Sequence, residues 1–250
     1  GLEPALLWKY FAEISRIPRG SKNEAAISDY VVETAKKLGL EARQDKVGNV
    51  VVRKPASAGR EGRNSVCLQG HLDMVCEKTS DKQHDFMTDP ITIVRGDNVL
   101  MADGTTLGAD NGIGVAMALA AASSPDVVHG PLEFLFTVDE ETGMTGAKEL
   151  KPDFLKANIM LNLDSEEDGT LYVGCAGGMD TAGHMKLTFS EAPATHTALD
   201  INVGGLKGGH SGLDIHQGRG NAIKMLTRVL LTALDDGIEL GPLVGPPVGG

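Results

Sequence analysis

The stretch Ser65-Val66-Cys67-Leu68-Gln69-Gly70-His71-Leu72-Asp73-Met74-Val75 decides how this 250-residue chain is read. Val66, Cys67 and Leu68 form a short apolar run bounded by polar residues, which predicts a buried strand running toward Gly70. His71 and Asp73 then fall where that strand ends. Two residues apart in extended backbone, their side chains project to the same side, so an imidazole able to bind a metal has a carboxylate beside it. A lone His-x-Asp is a weak signal, and its meaning depends on what the rest of the chain brings to the same place.

Two further runs repeat the pattern. Leu132 to Val138 is apolar apart from Glu133 and ends in Asp139-Glu140-Glu141-Thr142-Gly143, and Ile159 to Leu163 ends in Asp164-Ser165-Glu166-Glu167-Asp168. Buried strands with intervening helices, each ending in His or acidic residues, predict an α/β sheet whose ligands collect at its carboxyl edge. Between the first two runs, Gly104 to Gly114 feeds a small-residue helix from about Ile113 to Ala122. This segment lacks the Gly-x-Gly-x-x-Gly and Gly-Lys-Ser/Thr patterns of phosphate loops. Its glycines suit a backbone that approaches a bound ion or substrate and holds Asp110 in an unusual conformation.

Around this centre the remaining elements are packing material. Leu7, Tyr10, Phe11, Ile14 and Ile17 recur at helical spacing between Pro4 and Ile17, and Ile27, Val31 and Leu38 do so between Asn23 and Leu38. Val50 to Arg53 reads as a strand after a Gly48-Asn49 turn. Ile91 to Val94 and Val99 to Ala102 flank Gly96-Asp97-Asn98 as a hairpin. Beyond Gly178 the character changes: Met185 to Phe189 and Leu199 to Val203 read as strands, Asn221 to Leu234 as a helix, and Gly241 to Gly250 as an irregular tail. The expected division is a catalytic domain over 1–185 and the beginning of a second domain over 186–250.

Composition narrows the partners. The net charge is −11, from 23 basic and 34 acidic residues, without a basic cluster long enough to track phosphates, which argues against nucleic acid. No apolar run approaches the roughly 20 residues needed to cross a bilayer, and the amino terminus lacks signal-peptide character, so a soluble intracellular protein without membrane contact is expected. Cys67, Cys76 and Cys175 are odd in number and without Cys-x-x-Cys spacing, which argues against a disulfide framework or a thiolate zinc site.

The strand-end residues His71, Asp73, Asp110, Glu140, Glu141 and Asp164 offer one imidazole and several carboxylates from separate elements. Such a donor set suits zinc, with cobalt or manganese tolerated. A carboxylate bridging two ions would let them activate water and polarise a carbonyl together, and another carboxylate off the metals would move the proton. Taken singly each residue also has a plain structural reading: Asp73 as a turn residue, Glu166 to Asp168 as a solvated acidic run, His129 as a loop residue.

The runs His71-Leu-Asp73, Gly-Ala-Asp110-Asn-Gly, Glu140-Glu141-Thr-Gly, Asp164-Ser-Glu-Glu and Gly-Gly-His210-Ser-Gly, in this order, resemble the motif set of the co-catalytic dizinc peptidases, which include aminoacylases and carboxypeptidase G. The longer wording around Val128-His-Gly-Pro131 and Tyr172 to Gly178 resembles the branch that cleaves dipeptides ending in histidine. The resemblance implies a zinc-peptidase-like mixed sheet with flanking helices, followed by the start of an α+β lid and dimerisation domain. It further implies two Zn2+, with His71 and Asp164 on one, Asp110 bridging and Glu141 on the other. Asp73 would orient His71, Glu140 would be the general acid/base, and His210 would contact the substrate carbonyl. The implied activity is hydrolysis of dipeptides of the Xaa-His type, such as carnosine, in a cytoplasmic enzyme that is a homodimer when complete. Members of this family have one more His ligand in a closing segment. None of His84, His129, His184, His196 and His216 lies in such a motif. The expectation is therefore an amino-terminal part of a longer enzyme, the alternative being a catalytically silent metal-binding or regulatory fragment.

Overall fold

The computed structural model describes every residue except 166, 176, 178, 180, 187, 189, 190, 192, 210–213 and 239–250. Two compact units are present, Gly1–Leu171 and Tyr172–Gly250. In the first, the elements in order are α1 (Ala5–Ile14), α2 (Ala25–Lys37), β1 (Glu41–Gln44), β2 (Val50–Lys54), β3 (Val66–His71), β4 (Ile93–Arg95), β5 (Leu100–Ala102), α3 (Ala109–Ser123), β6 (Leu132–Thr137), α4 (Thr145–Glu149) and β7 (Ile159–Asn162). Among the described residues of the second unit, a 3-10 turn at Ile215–Gln217 precedes α5 (Ala222–Asp235).

A five-stranded mixed sheet, ordered β1-β2-β6-β3-β7, organises the first unit. β3 pairs in parallel with both β6 and β7, while β2 pairs antiparallel with β1 and β6, so β2 alone runs against the others. The parallel registers align Val66 with Leu132 and with Ile159 and carry His71 to the level of Thr137. The carboxyl ends of the three strands that carry the candidate ligands therefore reach one edge of the sheet. That is where an open α/β sheet places its ligands.

Alternation along the strands covers both faces. Val50, Val52, Phe134 and Phe136 face a core shared with Tyr10, Phe11 and Ile14 of α1, Ile27 and Val31 of α2, and Val115 and Leu119 of α3. Val51, Cys67 and Leu135 point the other way and pack on Phe154. Glu133, the polar exception in β6, shares that second face. It accepts from Arg53 Nε at 2.8 Å and from the amides of Lys156 and Ala157 at 2.7 Å each.

The structure departs from the sequence expectations in four elements. β1, whose residues are Glu-Ala-Arg-Gln, carries no apolar signal and exists because it lies at the sheet edge, tied by an ion pair from Glu41 to Arg53 at 2.6 Å. The five-residue α4 is equally polar. Conversely, the described residues of Met185–Phe189 and Leu199–Val203 form no strand. Met185 and Leu199 are 80% and 79% exposed, and an alternating run becomes a strand only where a second layer buries one of its faces. The expected irregular tail lies outside the described residues. Cys67 is buried, Cys76 and Cys175 are exposed, and all three are free. No described helix is long and apolar enough to cross a membrane.

Candidate metal centre

β3 delivers His71, fully buried, as its last residue. His71 Nε2 faces outward along the sheet edge, where Asp110 Oδ1 lies at 3.0 Å, Asp164 Oδ1 at 3.6 Å and Glu140 Oε2 at 3.9 Å. Asp110 comes from the start of α3, where its backbone is extended rather than helical and its peptide to Asn111 is cis. Glu140 and Glu141 follow β6, and Asp164 follows β7. His71, Asp110 and Glu141 each offer a ligand atom, all within 4.8 Å of one another. Of the residues named from sequence alone, Asp110, Glu140, Glu141 and Asp164 thus gather around the outward-facing side of the His71 imidazole, with Asp73 on its other side. His210 lies outside the described residues.

Asp73 stands behind the imidazole. Its Oδ1 is 3.3 Å from His71 Nδ1, an electrostatic contact without hydrogen-bond geometry that leaves Nε2 as the nitrogen facing the acidic cluster. The same carboxylate accepts the amides of Glu140 and Glu141 at 3.0 and 3.1 Å and the Ser21 hydroxyl at 2.8 Å. Burial works against its ionised form. These donors and His71 outweigh burial and bring its pKa down to about 2, so Asp73 is a fixed negative charge.

The electrostatics ask for a cation. Burial by itself would disfavour a charged imidazole, yet the Asp110, Asp164 and Asp73 carboxylates push His71 up to about 12. Asp110 is held below the usual carboxylate range by its bond to His71, while burial, followed by neighbouring carboxylates, raises both Glu140 and Glu141. A proton on His71 is the one positive charge the cluster itself supplies. One imidazole nitrogen and several carboxylate oxygens within reach are the donor types that zinc, cobalt and manganese accept, so the residues present fit a divalent ion.

Sequence reading missed two residues that build this arrangement. Asn111 accepts the His71 amide at 3.2 Å through Oδ1, and through Nδ2 donates to Asp164 Oδ1 at 2.7 Å and to the Leu163 carbonyl at 2.9 Å. Gly70 is what lets it in, because a Cβ there would overlap Asn111 Oδ1. Arg19 is the other; its guanidinium donates to the Leu72 and Asp73 carbonyls at 2.8 and 2.9 Å and to the Gly108 carbonyl. Asn111 stood inside a quoted motif, but nothing in residue type announces which carbonyl a polar side chain will reach.

The chain is 49% identical over 229 residues to the cytosol non-specific dipeptidase of Escherichia coli, an alignment covering 92% of this chain and 47% of that protein. The crystal structure of aminoacylhistidine dipeptidase from Vibrio alginolyticus superposes with a TM-score of 0.70 at 45% identity, covering 94% of this chain and 48% of that one. A tripeptidase from Staphylococcus aureus follows at a TM-score of 0.54 and 26% identity, over 65% of this chain and 44% of that one. The chain spans about half the length of these relatives. The model of peptidase family M20/M25/M40 matches residues 67–207, more than half of the 250, and the chain belongs to that family.

Proposed function

We propose that the protein is a dizinc dipeptidase acting on short peptides of the Xaa-His type, such as carnosine. The observation that carries this reading is the convergence of Asp110, Glu140 and Asp164 on the buried Nε2 of His71, with Glu141 beside them. His71 and Asp164 would hold one ion and Glu141 the other, with Asp110 available to both and cobalt or manganese able to substitute. Bound there, two such ions supply Lewis acidity to a substrate carbonyl and bring the pKa of water toward neutrality. Asp73 keeps the His71 ring oriented through Nδ1 and raises its basicity, as outer carboxylates do for metal-bound imidazoles. Glu140 takes the proton of the attacking water on its carboxylate and delivers it to the leaving amine. Its pKa, raised by burial, brings the carboxyl nearer to the range in which a group can both accept and release a proton. His210 is assigned to the substrate carbonyl.

Substrate class rests on the likeness to the Vibrio alginolyticus aminoacylhistidine dipeptidase, and the likeness to the cytosol non-specific dipeptidase of Escherichia coli supports a cytosolic location. We assign residues 1–185 to the catalytic portion and 186–250 to the beginning of a lid and dimerisation domain, with a homodimer as the assembly. The test is zinc content by elemental analysis and carnosine hydrolysis on the same dialysed sample, for the unaltered protein and for Glu140→Gln. Removing the proton carrier is expected to lower kcat by about 10²- to 10⁴-fold with zinc content unchanged. Full activity in Glu140→Gln would remove Glu140 from the chemistry, and absence of stoichiometric zinc in the unaltered protein would remove the metal centre.

A further inference from the structure

The sheet stops just short of the site. Its last β3–β6 pair is His71 with Thr137, followed by a single bond from the Leu72 amide to the Thr137 carbonyl. Residues 73–74, 108–110 and 139–141, which set the directions of Asp73, Asp110, Glu140 and Glu141, must therefore be anchored by something else. One short turn, Arg19 to Glu24, between α1 and α2, reaches all three segments. Arg19 is 2% exposed and donates to the Leu72 and Asp73 carbonyls and to the Gly108 carbonyl, so one guanidinium joins the end of β3 to the loop that enters α3. Gly108 accommodates it, since a Cβ at that position would overlap Arg19 Nη2. Gly20 bridges Met74, and Ser21 donates to Asp73 Oδ2 at 2.8 Å. Glu24, 7% exposed, accepts the Asp139 amide at 2.8 Å. Together with the two amides held by Asp73, three successive N–H groups, those of Asp139, Glu140 and Glu141, are fixed by two buried carboxylates.

We propose that the Arg19–Glu24 turn is the brace of the metal centre, with Arg19 and Glu24 as its positioning residues. The assignment rests on the metal-site reading above. Its logic is electrostatic as well as geometric. Asp73, Asp110, Glu140, Glu141 and Asp164 repel one another, and a ligand set of this kind spreads unless its backbone is held. Arg19 brings a positive charge close to the cluster, yet it donates to the main-chain carbonyls of Leu72, Asp73 and Gly108 and so leaves the ligand oxygens to the metal. Glu24 holds the amide of Asp139, the residue immediately before Glu140 and Glu141. The brace thus fixes the ligands before an ion arrives, which is how groups behind a metal's ligands raise affinity.

The experiment is zinc affinity of the full chain by competition with a chromophoric chelator, with the cobalt(II) absorption spectrum as a second readout, for Arg19→Lys, Glu24→Ala and Glu24→Gln. Arg19→Lys keeps the charge but loses the fork that spans three carbonyls, and Glu24→Ala loses the acceptor that Glu24→Gln retains. The expected result is zinc binding about 10- to 100-fold weaker in Arg19→Lys and Glu24→Ala, with altered cobalt bands, and near-unaltered binding in Glu24→Gln. If the unaltered chain binds zinc and both weakened variants bind it equally well, whatever their melting temperatures, the turn is scaffold only and the proposal falls. If the unaltered chain takes up no zinc, the metal-site reading falls and the brace with it. Should Arg19→Lys not fold, the contrast between Glu24→Ala and Glu24→Gln decides alone.

Discussion

Asn111 ties two strand ends together with one amide group, and each of its two atoms has a distinct task. Its Oδ1 holds the amide of His71 and its Nδ2 holds both the Leu163 carbonyl and Asp164 Oδ1, with the side chain buried. Asn111→Asp is nearly isosteric and keeps the acceptor, but turns the donor into an oxygen facing two other oxygens at 2.7 and 2.9 Å. The metal-free chain should lose about 1–3 kcal/mol in urea unfolding, because a buried carbonyl and a carboxylate lose their shared donor. A loss below a few tenths would mean that water replaces the amide. At this scale the candidate site residues were legible, since His71, Glu140, Glu141 and Asp164 follow apolar runs whose ends can be counted. Asn111 and Arg19 act through main-chain carbonyls, whose positions exist only once the strands are assembled.

Glu133 shows what an element needs that an apolar run does not reveal. In sequence it interrupts β6; in the fold it is 2% exposed and binds Arg53 of β2 and the amides of Lys156 and Ala157 ahead of β7. One carboxylate thereby sets the distance between the sheet and the segment that feeds its last strand. Glu133→Ala would leave the Arg53 guanidinium, with a side chain only 15% exposed, without its inner partner. Breaking such a pair costs about 3–5 kcal/mol, to be read as a lower urea midpoint at unchanged m value. A cost under 1 kcal/mol would show that Glu41, paired with the same arginine at 2.6 Å, suffices. β2, β3 and β6 were readable because strands covered on both faces are continuously apolar; β7, expected as a buried run, is instead an exposed strand at the sheet edge, with Ile159, Met160 and Leu161 all exposed. β1 was not readable, because an edge strand is defined by its partner: Glu41 to Gln44 pair with Val50 to Arg53, and the apolar information resides in β2. The runs at Met185 and Leu199 failed for the opposite reason, having the composition of strands without a layer to cover them.

For the whole molecule, the net charge of −11 matters most where it is concentrated. Five carboxylates, those of Asp73, Asp110, Glu140, Glu141 and Asp164, gather around one imidazole at the carboxyl edge of the sheet, a repulsion that the unfolded chain, with those groups dispersed, does not feel. A divalent ion bound only by the folded chain relieves it and shifts the folding equilibrium by mass action. At zinc 100-fold above its dissociation constant the gain is about 2.7 kcal/mol. For a chain of this size that corresponds to a rise in Tm of about 5–10 °C, reversed by a chelator. Sodium chloride at matched ionic strength should give a smaller rise, because screening weakens the repulsion without joining the ligands. Asp110→Ala, which removes the carboxylate nearest His71 Nε2 and so breaks the bond that holds that carboxylate below the usual range, should destabilise the metal-free chain slightly and at the same time abolish most of the zinc response. A zinc response that survives in Asp110→Ala would place the ion elsewhere on this acidic surface, and equal shifts with zinc and sodium chloride would reduce the site to a patch of negative potential.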